Sequence, residues 1–197
     1  MKPNWQNSVR TRERVATGMT LGELCDAALR YSDGTAGNLL LRQIGGPAGL
    51  AAYLRTLGDT VTLSARTEPA LWKDRGPGDQ RDTTSARAIG TDYQKIVVGG
   101  ALTDDARAYL RDLMERADWA ASSKNRIRSV VPPGWTVANR TGTGGFYGIA
   151  NDIAVVWPSK PADPVIVSIM SSRAGRDTEP SDALVAQAAG YVLDRLT

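Results

Sequence analysis

Between Gly134 and Ser172 the sequence changes its period, and that change limits the folds open to the chain. Three runs, "GWTVANRTG", "YGIANDIAVVWP" and "PVIVSIMSS", are rich in Val, Ile, Thr and Trp and are separated by turn residues, the pattern of β-strands joined by reversals. Pro161 and Pro164 punctuate the last turn, and Val165 follows at once. Most of the chain before these runs has the spacing of helices. A further helical stripe, Leu184, Val185, Ala188, Val192, Leu193 and Leu196, comes after them, with Ser181 or Glu179 near its start. Helices, then strands, then a helix predict an α/β protein of the α+β kind. We divide it into a helical lobe at 1–120 and a strand-rich lobe with a carboxy-terminal helix at 121–197.

The helical part is punctuated by its caps. "TLGELCDAALRYS" opens with Thr20 and Glu23 at capping-box spacing, and Leu21, Leu24, Ala28 and Tyr31 follow as one stripe. A second helix is expected through "AGNLLLRQI", stopping at Gly45-Gly46. Pro47 suits the first turn of a third, "PAGLAAYLRTLG", which ends at Gly58. Thr83 or Thr84 starts another through "ARAIGTDYQKIVVG", and Thr103 caps "DDARAYLRDLMERA". Residues 65–82, "ARTEPALWKDRGPGDQRD", are rich in charge, Pro and Gly and carry no sustained period. Leu71 and Trp72 within them predict a packed Ω-type loop, and a loop of this length in a compact domain is usually functional or disordered.

Composition narrows the chemistry. The chain has no His, which removes a Ser-His-Asp triad, a Cys-His dyad and most transition-metal sites, so neither a metal nor another cofactor is expected. Cys25 is the single cysteine. It has no partner for an internal disulfide, and its neighbours Leu24, Ala27 and Ala28 mark it as a buried thiol. The net charge is +3, with Arg and Asp interleaved along most of the chain, as on a solvated surface. The basic cluster "SSKNRIRS" at 122–129 is too short for a nucleic-acid face. No apolar run reaches membrane-spanning length. The opening "MKPNWQNSVRTRERVATG" has no apolar h-region, so no signal peptide is read and the sequence as written is expected in the cytoplasm.

Three short pieces remain: Ser32-Asp33-Gly34, Glu68-Pro69-Ala70-Leu71 in the long loop, and Arg140-Thr141-Gly142 at a strand end. Alone, the first reads as a polar turn. In this order and placement they resemble the class A serine β-lactamases, whose signature is S-x-x-K, S-D-N and K-T-G with a loop glutamate. The resemblance runs from about Val15 to the carboxy terminus. "GMTLGELCDAALRYSDGTAGNLLL", "GDQRDTT" and "RTGTGGFYGIANDIAVVW" are similar to actinobacterial members in particular. It implies a β-lactamase/transpeptidase-like fold and hydrolysis of β-lactam small molecules through an acyl-enzyme, with neither nucleic acid nor membrane as partner. That reaction needs a nucleophile, a proton for the leaving nitrogen, oxyanion donors and a deacylating water. By the resemblance, Ser32 relays the proton and Glu68 is the general base for the water. Asn38 holds the loop, and Arg66 and Asp82 bridge its base. Arg126, Arg140 and Thr141 bind the substrate carboxylate beside Gly142, the Thr143 N–H is an oxyanion donor, and Gly34 lies along the substrate amide.

The sequence also departs from the pattern. No Ser or Thr in the 197 residues has Lys three positions on. We therefore expect an amino-terminally truncated relative with an unpaired sheet edge and impaired hydrolysis on its own. The alternatives are a non-catalytic remnant, or a fragment completed by an amino-terminal segment or by domain exchange in a homo-oligomer. The glutamate loop argues against a related penicillin-recognising peptidase. Gly34 replaces the usual Asn, Arg140 the usual Lys and Trp72 the usual Asn, and the loop is one residue longer. Cys25 matches a position that pairs with an upstream Cys in some members. The family is secreted or periplasmic, in contrast to a sequence read without a leader.

Overall fold

Five of the described helices begin where a polar side chain satisfies an N–H group that a first turn leaves open. The computed structural model describes residues 7–73, 76, 78–117, 121–159 and 162–196. Thr20 opens α1 (Leu21–Tyr31): its Oγ accepts the Glu23 N–H at 3.2 Å, while Glu23 Oε2 accepts the Thr20 N–H at 2.8 Å. Asp33 caps α2 (Gly34–Gln43) by accepting the Ala36 N–H at 2.9 Å. The helix thus starts ahead of the expected Ala36, because the polar reversal is itself the cap. α3 (Gly46–Thr56) is entered through Gly45 at φ 93°, with Pro47 in its first turn. Leu24 and Ala27 of α1 bury against Ala36 of α2, surrounded by Met19, Ala28, Leu39 and Leu40.

The stretch 65–82 contains one helical turn, α4 (Ala70–Lys73). Four residues are too few to register as a period in the sequence. A bridge between Leu63 and Thr83, with the Leu63 N–H on the Thr83 carbonyl at 2.9 Å, closes the loop at its base. The hydroxyls of Thr62 and Thr84 meet beside it at 2.7 Å. The side chain of Trp72, and Pro161, lie outside the described residues.

Contacts gather the chain into two units, one up to Thr84 and one from Ser85 onward. The second begins with α5 (Ala86–Tyr93), capped by Ser85, whose Oγ accepts the Ala88 N–H at 3.1 Å. Thr83 and Thr84, expected as the cap, are engaged instead in closing the loop. α5 runs on as a π-helical segment, Gln94–Val98. α6 (Asp104–Glu115) starts at Thr103 as expected. α7 (Ala121–Asn125) and a 3-10 turn, Ile127–Val130, lead into the sheet.

Strands β1 (Thr136–Thr143), β2 (Ala150–Trp157) and β3 (Val165–Ser171) pair antiparallel in the order β1-β2-β3. Arg140 stands opposite Ile153 and Thr141 opposite Asp152. Because side chains alternate across a sheet, Val137, Ala154, Val156 and Val167 face α8 (Asp182–Leu193), meeting Val185, Ala189 and Leu193. Ala138 and Val155 face the other way, against Val97 and Met114. The helices at 86–115 therefore pack on the sheet. Among the described residues no helix is long and apolar enough to cross a membrane.

Leu193 is fully buried at the end of α8, whereas Leu196 is 49% exposed. Leu193→Ala is expected to cost about 2–5 kcal/mol in urea unfolding, and Leu196→Ala less than about 0.5 kcal/mol. Equal losses would contradict this account of the core.

Candidate functional site

In the first unit the site is built around the junction of α1 and α2. Asp33 is buried and takes more than its capping bond. Its Oδ2 accepts the N–H groups of Arg10 and Thr11 at 2.9 and 2.8 Å, and the Thr11 hydroxyl lies 3.0 Å from Oδ1. The hydroxyls of Ser8 and Thr35 meet at 2.6 Å. These bonds fix the start of α2. Ser32, one residue earlier, is exposed and left-handed (φ 53°, ψ 36°), a conformation a serine adopts only where its surroundings over-determine it. The N–H groups of Ser32 and Asp33, both on the Ala27 carbonyl, do so.

Gly34 and Asn38 are four residues apart on α2 and so share a face. Asn38 Nδ2 donates to the Glu68 carbonyl at 2.8 Å, and the Glu68 N–H donates to Asn38 Oδ1 at 3.1 Å. This pair of bonds pins the loop backbone at Glu68. The carboxyl of Glu68 turns back toward Gly34, and Asn7 Nδ2 donates to its Oε2 at 3.4 Å. At the loop base Arg66 Nε donates to Asp82 Oδ2 at 2.6 Å, while Asp82 Oδ1 accepts the N–H groups of Ala65 and Arg66 at 2.7 and 2.9 Å. Burial pushes the Asp82 carboxyl up, but Arg66 and the two N–H groups outweigh it and hold it below the ordinary range. Arg66 also reaches Asp79 at 3.5 Å. Hydrogen bonds from Arg81 to its carboxylate hold Asp79 down at about 2.

In the second unit Arg126 has a side chain only 1% exposed. Its Nε donates to Asp182 Oδ1 at 2.7 Å, its Nη1 to the carbonyls of Gly142 and Asn151 at 2.9 and 2.8 Å, and its Nη2 to Thr143 Oγ at 2.8 Å. The residue expected to add charge for a carboxylate is thus tied to the end of β1, where Gly142 and Thr143 are exposed. Arg140 points to the other face of the sheet, where burial lowers its affinity for the proton and Tyr93 lies nearby; burial pushes the Tyr93 phenol up to about 12. Thr141 Oγ stands 3.5 Å from Ser123 Oγ. Asp152, opposite Thr141, accepts the Ile127 N–H at 3.0 Å and Asn139 Nδ2 at 3.0 and 3.2 Å. Asn139 Oδ1 in turn accepts Arg128 Nε and Nη2 at 3.1 and 2.9 Å.

The first unit therefore carries a carboxylate on a pinned loop and an exposed serine, the parts of a proton-transfer site. The second carries, at one end of β1, the Arg126 guanidinium paired with Asp182 and the hydroxyl of Thr143. Residues 6–196 match the model of the beta-lactamase enzyme family. The chain belongs to that family.

Among β-lactamases, that of Mycobacterium tuberculosis is 53% identical over 187 residues, which make up 92% of this chain and 59% of the relative. A β-lactamase crystal structure from Desulfarculus baarsii superimposes with a TM-score of 0.91 at 42% identity, covering 96% of this chain and 69% of that one. The class A β-lactamase of Mycobacterium abscessus gives 0.88 at 36% identity, covering 97% and 70%. The chain thus has the β-lactamase fold, a helical part followed by an antiparallel sheet and a carboxy-terminal helix, and spans 59% of the length of its M. tuberculosis relative. Asp79, Asp152 and Asp182 were not singled out by sequence reasoning. Asp182, in the first turn of α8, had only its helix position as a signal, and nothing local tied it to Arg126.

Proposed function

We propose that this chain serves in β-lactam hydrolysis through an acyl-enzyme, with Glu68 as the general base of deacylation. The observation that carries this reading is the two-bond clamp of Asn38 on the Glu68 backbone. It fixes the backbone that carries the carboxylate, in a loop where an unpinned glutamate would be solvated and mobile. Glu68 takes a proton from the attacking water, the water oxygen bonds to the acyl carbon, and the ester bond to the nucleophile breaks as its departing oxygen takes the proton back from Glu68. Ser32 passes a proton to the lactam nitrogen in the acylation step. Arg140 and Thr141 attract the substrate carboxylate. Arg126 acts by holding the Gly142 carbonyl and the Thr143 hydroxyl, and the Thr143 N–H is the oxyanion donor.

No serine among the 197 residues has a lysine three positions on, and this favours a second reading: these residues alone bind β-lactams at most, and the nucleophile comes from another segment. The test has two arms. The chain alone is incubated with benzylpenicillin and followed by intact-mass spectrometry, beside hydrolysis of a chromogenic cephalosporin. The chain is also co-expressed with the part of the M. tuberculosis relative that lies outside the alignment. We expect no adduct and no turnover from the chain alone. The pair should turn over, with a loss of about 10²-fold or more on Glu68→Ala. A pair no more active than its parts would leave only the binding reading, and an adduct on the chain alone would overturn the assignment of the nucleophile.

A further inference from the structure

We propose that Phe146 is a positioning residue for the Thr143 N–H: its ring, stacked under the Arg176 guanidinium, locks the turn that follows β1 and so fixes the donor at the end of that strand. This deepens the reading of Thr143 as oxyanion donor and rests on it. The turn at 144–149 joins β1 to β2, and the Gly144 N–H closes it on the Ile149 carbonyl at 3.1 Å. Successive residues of an antiparallel strand send their N–H groups to opposite sides. With Gly144 bonded toward β2, the Thr143 N–H points the other way, to the edge of β1 that no described strand covers. A donor on that side takes no ladder bond, so its direction follows the backbone of the turn that comes next.

That turn is strapped to the connection between β3 and α8. The Tyr147 N–H donates to the Arg176 carbonyl at 2.7 Å, and the Arg173 N–H donates to the Tyr147 carbonyl at 2.6 Å. Tyr147 is left-handed at φ 59°, a conformation a bulky residue keeps only where its surroundings over-determine it. Gly148 follows at φ 54°, and a Cβ there would come within 2.7 Å of Arg173 Cγ and 2.9 Å of the Glu179 carbonyl. Residues 172–179 are exposed throughout, and hydrogen bonds of exposed backbone open readily. The side-chain contact that backs them is the Arg176 guanidinium, 3.6 Å over the half-buried Phe146 ring, an attraction of cation for ring face. Asp177, 3.4 Å from the same guanidinium, is its own exposed neighbour and holds nothing in the turn. The connection then runs into Asp182, the partner of Arg126, whose Nη2 donates to Thr143 Oγ at 2.8 Å. Thr143 is thus held through its hydroxyl from one side and through the strapped turn from the other.

The test reads the donor itself, in ¹H–¹⁵N spectra of the 197-residue chain. Phe146→Leu keeps an apolar side chain and removes the ring. It should move the Thr143 amide by more than its linewidth and speed hydrogen exchange at the Tyr147 and Arg173 amides about tenfold. Arg176→Ala should do the same. It alters an exposed side chain and leaves the ring in place, so its effect on Thr143 is not the loss of a ring current, and it decides the matter if Phe146→Leu fails to fold. Phe146→Tyr keeps the stack and should leave all three amides at their wild-type values. Arg195→Ala is the control, since it removes a stack of the same kind from Tyr191 of α8. In the co-expressed pair, Phe146→Leu should lower kcat about tenfold at an unchanged KM. A Thr143 amide that stays put in Phe146→Leu or in Arg176→Ala would overturn the proposal, as would one that moves equally in Phe146→Tyr or Arg195→Ala, or an unchanged kcat. The amide readout needs no turnover, so failure here and failure of the hydrolytic reading are separate results.

Discussion

Arg126→Ala is expected to lower folding stability by about 3–5 kcal/mol in urea unfolding, the loss typical of removing one partner from a buried ion pair. The side chain is 1% exposed against 32% for Asp182, so the arginine is the deeper member. Its removal leaves a carboxylate without its guanidinium. It also leaves the Gly142 and Asn151 carbonyls without the donor that bridges β1 and β2. Arg126→Lys should recover only part of the loss. A lysine has one nitrogen where the guanidinium engages Asp182, two carbonyls and the Thr143 hydroxyl through three. Full recovery by lysine would mean that charge alone matters at this position and that the fork is irrelevant.

The pH dependence of stability should carry a component from Asp152. Burial pushes its carboxyl up to about 6, against an ordinary 3.8, and the hydrogen bonds from Asn139 and Ile127 and the charges of Arg126 and Arg128 offset this only in part. The folded-state value is raised, so between these two values the folded chain holds a proton that the unfolded chain has released. Stability therefore falls as pH rises from about 4 to about 6, by about 3 kcal/mol in total, and the contribution is complete only below the lower value. Asp79 and Asp82 run the other way, because their carboxyls are held below the ordinary range and add stability as pH rises. The difference between the wild-type chain and Asp152→Asn cancels those terms. That difference, from urea unfolding at pH 3.5 to 7, should slope across the window. A flat line would show that Asp152 ionises as freely in the fold as out of it.

Several features were legible in the sequence because their causes lie within a few residues of one another. The Thr20–Glu23 box and the Thr103 cap each span three residues, and both form; of Ser181 and Glu179, left open at the start of the last helix, Ser181 is the cap. The three strands stand where the runs rich in β-branched residues, separated by turn residues, placed them. The pinning of Glu68 by Asn38 spans 30 residues and was legible only by resemblance, since neither residue has a local reason to meet the other. α4 was missed because one helical turn carries no period. The cap of α5 was read one or two residues early because Thr83, Thr84 and Ser85 all have suitable hydroxyls. Only the closing of the 65–82 loop, which takes up the two threonines, selects the serine.

By itself the sequence determined the order of helices and strands, the local caps and the chemical types available at the site: a loop glutamate, an exposed-turn serine and an arginine in place of the usual lysine. Tertiary structure decided what those groups are bonded to. It buried Arg126 and gave it Asp182, 56 residues away. It raised the Asp152 carboxyl by enclosing it under the sheet, and it laid the Glu68 carboxylate over Gly34. Periodicity and capping follow from short-range sterics and hydrogen bonds, which the order of residues specifies directly. Burial and long-range pairing depend on which distant surfaces meet when the apolar faces leave water, and only the folded chain records that outcome.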